Sequence, residues 1–565
     1  MNEISSDPLS IVTQSVSEDK TPLRITRLYW ILRRAWRRSK KDRSFRNLSK
    51  ALPQWRSHIE QVRSQDLFLK SPYQRIVLFG VLQYWIEQTT LLASTLAGLG
   101  KEVIIATMPY SSPNKYLETR NLLQQDQKIN QILGILEPYV KMQSLYPISE
   151  GKTELLPEEL EKAVQQISLR DVQYLLQVED FDIANLQSQA GRLYALRYER
   201  NHRTAQAAYV WLRQQKPQVV IIPNGSVLET AIIYRIARYL DIPTITYEFG
   251  EQRQKIWLSQ NGEVMLQETD ALWEARKNQP LTESQKEALQ ALFSARQKGD
   301  LWQNFARRWQ GIPSQGSQQA RLTLHLDERP VILLAANVIG DSLTLGRQIF
   351  TKSMTEWLVE TVKFIKENPT VQLVVRVHPG ERYTKGPSVA VQLQHYLGNL
   401  PEHIHIVRAD DPINTYDLIG LADFGLVYTT TAGLEMAMAG VPVVVAGKTH
   451  YRGRGFTIDP QNWNEYLATL KDMLGKDKVE PLSREKIELA WNYAYRFFFE
   501  YPLDFPWRLH FFKQGDIQEW PLSRVLSQEG WRQFGSALSV LCGAPLNWSD
   551  ADGMKLSSPF GGKEL

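Results

Sequence analysis

The stretch Phe424-Gly-Leu-Val-Tyr-Thr429-Thr430-Thr431-Ala-Gly433-Leu-Glu435-Met-Ala-Met-Ala-Gly440-Val-Pro442-Val-Val-Val445 reads as strand, turn, short helix and strand. Phe424 to Val427 is a continuous apolar run, as a parallel strand buried on both faces requires. Three hydroxyls and a glycine follow. Leu434 to Ala439 then forms a short helix that Gly440 stops, and Val441 to Val445 is β-branched and apolar. Such a unit belongs to a doubly wound α/β domain.

The same alternation extends upstream. Val331 to Ala335, Val371 to Val377 and His405 to Val407 read as strands, with helices near Thr355 to Glu367 and Asn414 to Ala422. A second series lies nearer the N-terminus. Arg75 to Phe79 is a strand, Leu82 to Leu99 a helix stopped by Gly100, and Glu102 to Thr107 a strand. Gln218 to Ile222, the turn Pro223-Asn224-Gly225-Ser226, a helix over Val227 to Leu240 and a strand over Thr244 to Glu248 continue it. The expected fold class is α/β: two Rossmann-like domains facing a cleft, with a helical insertion at about 110–215 and helical terminal segments. The expected divisions are a basic N-terminal segment (1–70), a first domain (71–320), a second domain (321–480) and a C-terminal segment (481–565) that packs back. Pro313-Ser-Gln-Gly-Ser317 reads as the linker. In open α/β sheets ligands bind outside the carboxyl ends of the strands, where the strand order reverses.

Length and composition agree. The 565 residues suit three to four units at about 150 residues each. A 43% hydrophobic share supplies packed cores and excludes a disordered or fibrous chain. The single cysteine, Cys542, excludes a disulfide framework or a cysteine-cluster zinc site. The first ten residues are polar and no apolar run is long enough to span a bilayer, so the expected location is cytoplasmic. Residues 21–56 hold twelve Lys/Arg and one acid, Asp42. Ile25, Leu28, Tyr29, Leu32 and Trp36 recur there at helical spacing. A basic amphipathic helix of this kind suits an anionic membrane surface at the inner face of the cytoplasmic membrane, or simply a docked helix with a solvated face. No nucleic-acid module is recognisable, and nucleic acid is not an expected partner.

Four constellations stand at predicted strand ends. Thr429, Thr430, Thr431 and Gly433 open a helix, whose outward N–H groups suit a phosphate, and Glu435 in its first turn suits a ribose diol. The plain alternative is that the threonines cap the helix and Glu435 offsets its dipole. His378, held extended by Pro379, ends another strand and suits a leaving phosphate. Asn337 and Asp341 follow the first strand of the second domain, in a loop open to close backbone approach. Lys448 and Arg452 lie in a basic glycine-bearing loop that can compensate phosphate without a metal, or form a solvated charge run. In the first half, Asn224, Gly225 and Ser226 face the cleft, and Glu248 or Glu251 is the candidate base for activating a hydroxyl. No Walker loop, nucleophile elbow or His-Glu-x-x-His motif occurs.

These residues resemble a family. His378-Pro379, then Thr429-Thr430-Thr431-Ala-Gly-Leu-Glu435, Gly440-Val-Pro442 and the stretch from Tyr451 to Thr457 look like the capsular polysaccharide biosynthesis proteins that include bacterial Kdo transferases. More loosely they look like bacterial sialyltransferases and teichoic-acid glycerophosphotransferases. The resemblance covers roughly residues 75–105 and 217–500. It implies a GT-B glycosyltransferase, a nucleotide-sugar donor held mainly by the second domain, a glycan or glycolipid acceptor, and metal-independent transfer with no cofactor. It places His378 and Thr429 to Thr431 at the donor phosphate, Glu435 at the ribose, and Glu248 or Glu251 as base. Where the related sialyltransferases pair two acids before a glycine, Tyr247-Glu248-Phe249-Gly250 offers one. A nucleotide-sugar epimerase of the two-Rossmann type and a non-catalytic assembly scaffold are the competing readings.

Overall fold

The computed structural model describes residues 48–151, 154–249, 252–300, 311–476, 478–507, 514–549 and 554–560. Most of the basic segment 21–56, and Glu251, lie outside the described residues. The chain divides into two compact units, residues 1–52 and 53–565. Of the first, residues 48–52 are described and helical.

The second unit holds two sheets. The first contains β1 (Arg75–Gly80), β2 (Glu102–Thr107), β3 (Val140–Ser144), β4 (Val219–Pro223), β5 (Thr244–Glu248) and β6 (Lys255–Gln260). The second contains β7 (Val331–Ala335), β8 (Gln372–Arg376), β9 (Ile404–Val407), β10 (Phe424–Val427) and β11 (Val443–Val445). A last strand, β12 (Leu503–Asp504), returns to pair antiparallel with β6. The orders are β12-β6-β5-β4-β1-β2-β3 and β11-β10-β7-β8-β9. The second sheet is parallel throughout, and the first is parallel from β3 to β5. Each sheet reverses its winding once, between β1 and β4 and between β7 and β10, and each reversal opens a crevice at the carboxyl ends.

Three strands correct the expectation. β3 falls inside what reads as an all-helical insertion. Val-Lys-Met-Gln-Ser is too polar for a buried run, and it forms a strand only because it covers the edge of β2. Strand β6 pairs antiparallel with β5, and β12 lies outside it as the edge strand; both have weak patterns of their own, so the end of the chain completes the first sheet.

The helices used below are α1 (Gln83–Gly98), α2 (Glu158–Leu176), α3 (Gln189–Gln215), α4 (Leu228–Tyr239), α5 (Glu283–Lys298), α6 (Met354–Lys366), α7 (Ala432–Met438), α8 (Trp463–Leu474), α9 (Arg484–Tyr495) and α10 (Gln528–Leu541). In the second sheet Ile332, Leu334, Leu373, Val375 and Leu426 pack against Trp357 and Leu358 of α6 and Tyr466 of α8. Each fully buried side chain of this size stabilises by about 1.5–3 kcal/mol. The indole of Trp357 donates to the Tyr466 hydroxyl at 3.0 Å, so the core's polar atoms are paired. A Cβ on Gly425 would lie 2.2 Å from Met436 Sδ. This close seat of α7 on β10 fixes where the turn between them points.

The insertion carries a buried ionic cluster. Arg197 on α3 reaches Asp171 on α2 at 3.0 Å and Glu229 on α4 at 2.8 Å, with all three side chains at 0–1% exposure. Asp171 also accepts the Leu228 N–H at 2.6 Å, which ties the insertion to the turn after β4. The expected linker is clamped: the Asp417 carboxylate accepts Ser314 Oγ, the Gln315 N–H at 2.9 Å and the Gly316 N–H at 3.2 Å.

Candidate functional site

The turn after β10 is welded to the loop after β7. Asn337 Oδ1 accepts the Thr429 N–H at 3.2 Å, and Thr429 Oγ1 donates to the Leu343 carbonyl at 2.9 Å. Thr429 is therefore buried and its hydroxyl proton is committed within the protein, which corrects its expected role as a phosphate donor through that hydroxyl. Thr430 Oγ1 accepts the Ala432 N–H at 3.4 Å, while Thr431, at the N-cap, makes no capping bond. Thr430 and Thr431 are the half-buried hydroxyls of the turn.

Tyr451 shapes this turn from the other side. Its hydroxyl donates to the Thr430 carbonyl at 2.6 Å, and a Cβ on Gly433 would lie 2.4 Å from that hydroxyl and 2.8 Å from Val427 Cγ2. Glycine at 433 is thus required by the packing of Tyr451, not by the approach of a ligand.

Glu435 does not stand alone. Arg296 Nη1, from α5, lies 2.6 Å from Glu435 Oε1, with the two side chains 3% and 6% exposed. Nothing in the polar helix Glu283–Lys298 marks Arg296 in the sequence; only the tertiary fold brings it to α7.

His378 leaves β8 and bends over its own loop. Its Nδ1 accepts the Gly380 N–H at 3.0 Å, which places the ring proton on Nε2 as a donor. A Cβ on Gly380 would lie 2.8 Å from His378 Nδ1 and 3.9 Å from Val338 Cγ2, so glycine permits the fold-back beside the Asn337 loop. Pro379 opens a short 3₁₀ turn, Pro379–Tyr383. Arg376 is structural: it donates to the Arg408 carbonyl at 2.7 Å.

Asp341 accepts the Leu343 N–H and Ser342 Oγ, each at 3.1 Å, and desolvation raises its carboxyl above the ordinary range. Gly340 approaches the end of α2 so closely that a Cβ would lie 2.6 Å from the Gln173 carbonyl. The insertion also grips loops around the second sheet. Gln177 Oε1 accepts the Lys385 and Gly386 N–H groups at 3.0 and 3.2 Å, and Glu179 accepts the Met354 and Thr355 N–H groups at 3.0 and 2.7 Å, capping α6.

In the first sheet, Asn224 Nδ2 donates to Glu248 Oε2 at 3.0 Å, and Glu248 Oε1 accepts the Phe249 N–H at 3.0 Å. Asn224 itself takes a left-handed conformation, φ 61°, and its Oδ1 accepts the Ser226 N–H at 3.0 Å. Gly225, φ 79°, is pressed onto Thr246, where a Cβ would lie 2.7 Å from Cγ2. Ser226 Oγ is buried and has no hydrogen-bond partner among the described residues. Tyr174 on α2 links the two halves. Loss of water around its hydroxyl, then the carboxylates of Asp341, Glu248 and Asp171, push its phenol up to about 12. The helical periodicity of the insertion conceals Tyr174, whose phenol feels carboxylates that end or follow strands of both sheets.

The basic loop divides. Lys448 is exposed, with Nζ 3.8 Å from Glu268, and its N–H donates to the Arg347 carbonyl at 2.8 Å. Arg452 is not a donor-facing cation: its guanidinium donates to the Val445 and Pro460 carbonyls and braces the loop against β11. Arg347 is buried and donates to the Met265 and Leu266 carbonyls across the two halves. His450 is buried against Phe497, ring centroids 3.7 Å apart, with Nδ1 2.9 Å from the Tyr493 hydroxyl. Burial, then the cations Arg347 and Arg454, hold its imidazole well below the ordinary range. These groups line a cavity of about 240 Å³ with Glu268, Asp270 and Asp459.

Residues 309–474 match the family model described as capsule polysaccharide biosynthesis protein. That segment runs from the linker to the end of α8 and holds His378, the hydroxyl turn and Glu435, the residues that carry the resemblance in the sequence. No curated protein sequence matches the chain. Solved structures that the chain matches include KpsC, beta Kdo 2,4 transferase, of Thermosulfurimonas dismutans, at 16% identity and TM-score 0.31 over 49% of this chain and 79% of that one. The S. aureus MnaA–UDP co-structure is 13% identical, TM-score 0.25, over 74% and 92%. UDP-GlcNAc 2-epimerase from Neisseria meningitidis bound to UDP-GlcNAc is 13% identical, TM-score 0.23, over 75% and 98%.

Proposed function

We propose that this chain is a metal-independent glycosyltransferase that moves a sugar from a nucleotide-sugar donor to a surface polysaccharide or a lipid-linked acceptor. One observation carries the reading: within the segment that matches the capsule polysaccharide family, the turn Thr430-Thr431-Ala432-Gly433 is held rigidly at the point where the second sheet reverses, with Glu435 one turn further on. A phosphate at that turn meets backbone N–H groups and the two half-buried hydroxyls. His378 Nε2–H donates to the leaving phosphate oxygen. As the bond between the anomeric carbon and the phosphate oxygen breaks, the acceptor hydroxyl oxygen bonds to that carbon and its proton passes to the Glu248 carboxylate. Asn224 orients Glu248 through Oε2. Among the described residues no helix is long and apolar enough to cross a membrane. In this reading the basic segment 21–56 holds the enzyme at an anionic membrane surface, where a lipid-linked acceptor is presented.

Incubation with a panel of CMP-, UDP- and GDP-sugars, with and without a glycan acceptor, tests the proposal. Transfer to the acceptor that His378→Ala abolishes in a folded protein supports it. Epimerised donor formed without any acceptor, or no turnover of any donor, overturns it.

A further inference from the structure

The reading above gives Glu435 a ribose to hold, yet the fold has already given it a partner. A lone carboxylate in the first turn of α7 would repel the phosphates bound at the same turn, and burying its charge without a counter-charge is costly. Arg296 removes both difficulties. Its Nη1 lies 2.6 Å from Glu435 Oε1, and both side chains are almost wholly buried. The guanidinium is itself held between two rings, 5.2 Å from the centroid of Phe293 on its own helix and 4.8 Å from that of Phe498. Phe498 belongs to the π-helical turn Arg496–Glu500 that follows α9. Two segments far apart in the chain therefore hold one cation, and that cation holds a carboxylate on a third.

We propose that Arg296 is the positioning residue for Glu435. It compensates the carboxylate's charge beside the donor phosphates and sets the rotamer in which a ribose diol can donate to it. A guanidinium has no acceptor atom, so Arg296 acts on the ribose through Glu435. The inference rests on the nucleotide-donor reading and deepens it, because it specifies a ribonucleotide rather than a generic phosphate ester.

The test is calorimetric binding of CMP, UDP and GDP, each beside its 2′,3′-dideoxy counterpart, to the full chain and to Arg296→Met, Arg296→Lys, Glu435→Gln and the double variant Arg296→Met/Glu435→Gln. For the ribonucleotide that binds, Arg296→Met is expected to weaken affinity about 10- to 100-fold and to leave the dideoxy form within about twofold. Arg296→Lys should restore part of the loss, and the double variant should bind no more weakly than Glu435→Gln. The double variant carries no buried unpaired charge, so it reports even if Arg296→Met melts early. Equal weakening of ribo and dideoxy forms, or no weakening, overturns the role of Arg296 and leaves the donor reading standing. Failure of the wild-type chain to bind any of the nucleotides overturns both.

Discussion

Asn337 and Thr429, 92 residues apart, are joined where the second sheet reverses: Asn337 Oδ1 accepts the Thr429 N–H at 3.2 Å. With the bond from Thr429 Oγ1 to the Leu343 carbonyl, it makes the Asn337 loop and the hydroxyl turn one rigid body. Asn337→Ala leaves a buried N–H without its acceptor, which costs about 1–3 kcal/mol. The expected outcome is a lower melting temperature together with weaker nucleotide binding. Asn337→Asp keeps an acceptor and should lose less of both.

Gly433 is occupied by its neighbour. A Cβ there would lie 2.4 Å from the Tyr451 hydroxyl. Gly433→Ala should therefore displace Tyr451, break its bond to Thr430 and abolish donor binding. The double variant Gly433→Ala/Tyr451→Phe removes the colliding oxygen and should recover part of the lost melting temperature, the 2.8 Å contact with Val427 Cγ2 remaining, but not full binding, since the Thr430 carbonyl stays unpaired.

The buried cluster on α2, α3 and α4 is a stability element that includes none of the residues of the hydroxyl turn. Removing Arg197 leaves Asp171 and Glu229 as uncompensated buried carboxylates. Arg197→Met should destabilise the fold by about 3–5 kcal/mol, read by chemical denaturation. Asp171 holds the Leu228 N–H, so the turn after β4 should loosen with it.

The pH dependence of stability has one assignable part. His450 stays neutral in the folded protein because burial, Arg347 and Arg454 depress its pKa well below the ordinary 6.5. Tyr493 and Thr269 face it as hydrogen-bonding neighbours. The unfolded chain takes up a proton below about pH 6.5 and the folded chain does not. Stability held above that pH is therefore lost as pH falls, by up to about 1.4 kcal/mol per pH unit. His450→Phe keeps the ring stacked on Phe497 and should flatten the slope of stability between pH 6.5 and 5 relative to wild type. An unchanged slope would contradict the assignment.

Much of the fold is legible in the sequence because buried parallel strands are written as unbroken apolar runs. Val331–Ala335, Phe424–Val427 and Val219–Pro223 stand close to where those runs place them. What is not legible depends on tertiary context. Val140–Ser144 is polar for a strand and exists by pairing with β2. The hydroxyl turn, His378 and Glu248 are visible as strand-end residues, but their partners are not. Arg296 lies in an ordinary polar helix, Tyr174 in an insertion that reads as spacer, and Arg452 looks like a free cation until Val445 and Pro460 are seen to hold it. Spacing along a chain reports which side chains share an element, and the contacts that decide these roles all join different elements.

The most direct measurement is a crystal structure of the full chain with the product nucleotide bound. The expected result is a phosphate within hydrogen-bonding distance of the Thr430 to Gly433 turn and of His378 Nε2, with the ribose on Glu435. A phosphate bound elsewhere, or a His378 ring turned away from it, would contradict the assignment of this turn as the donor site.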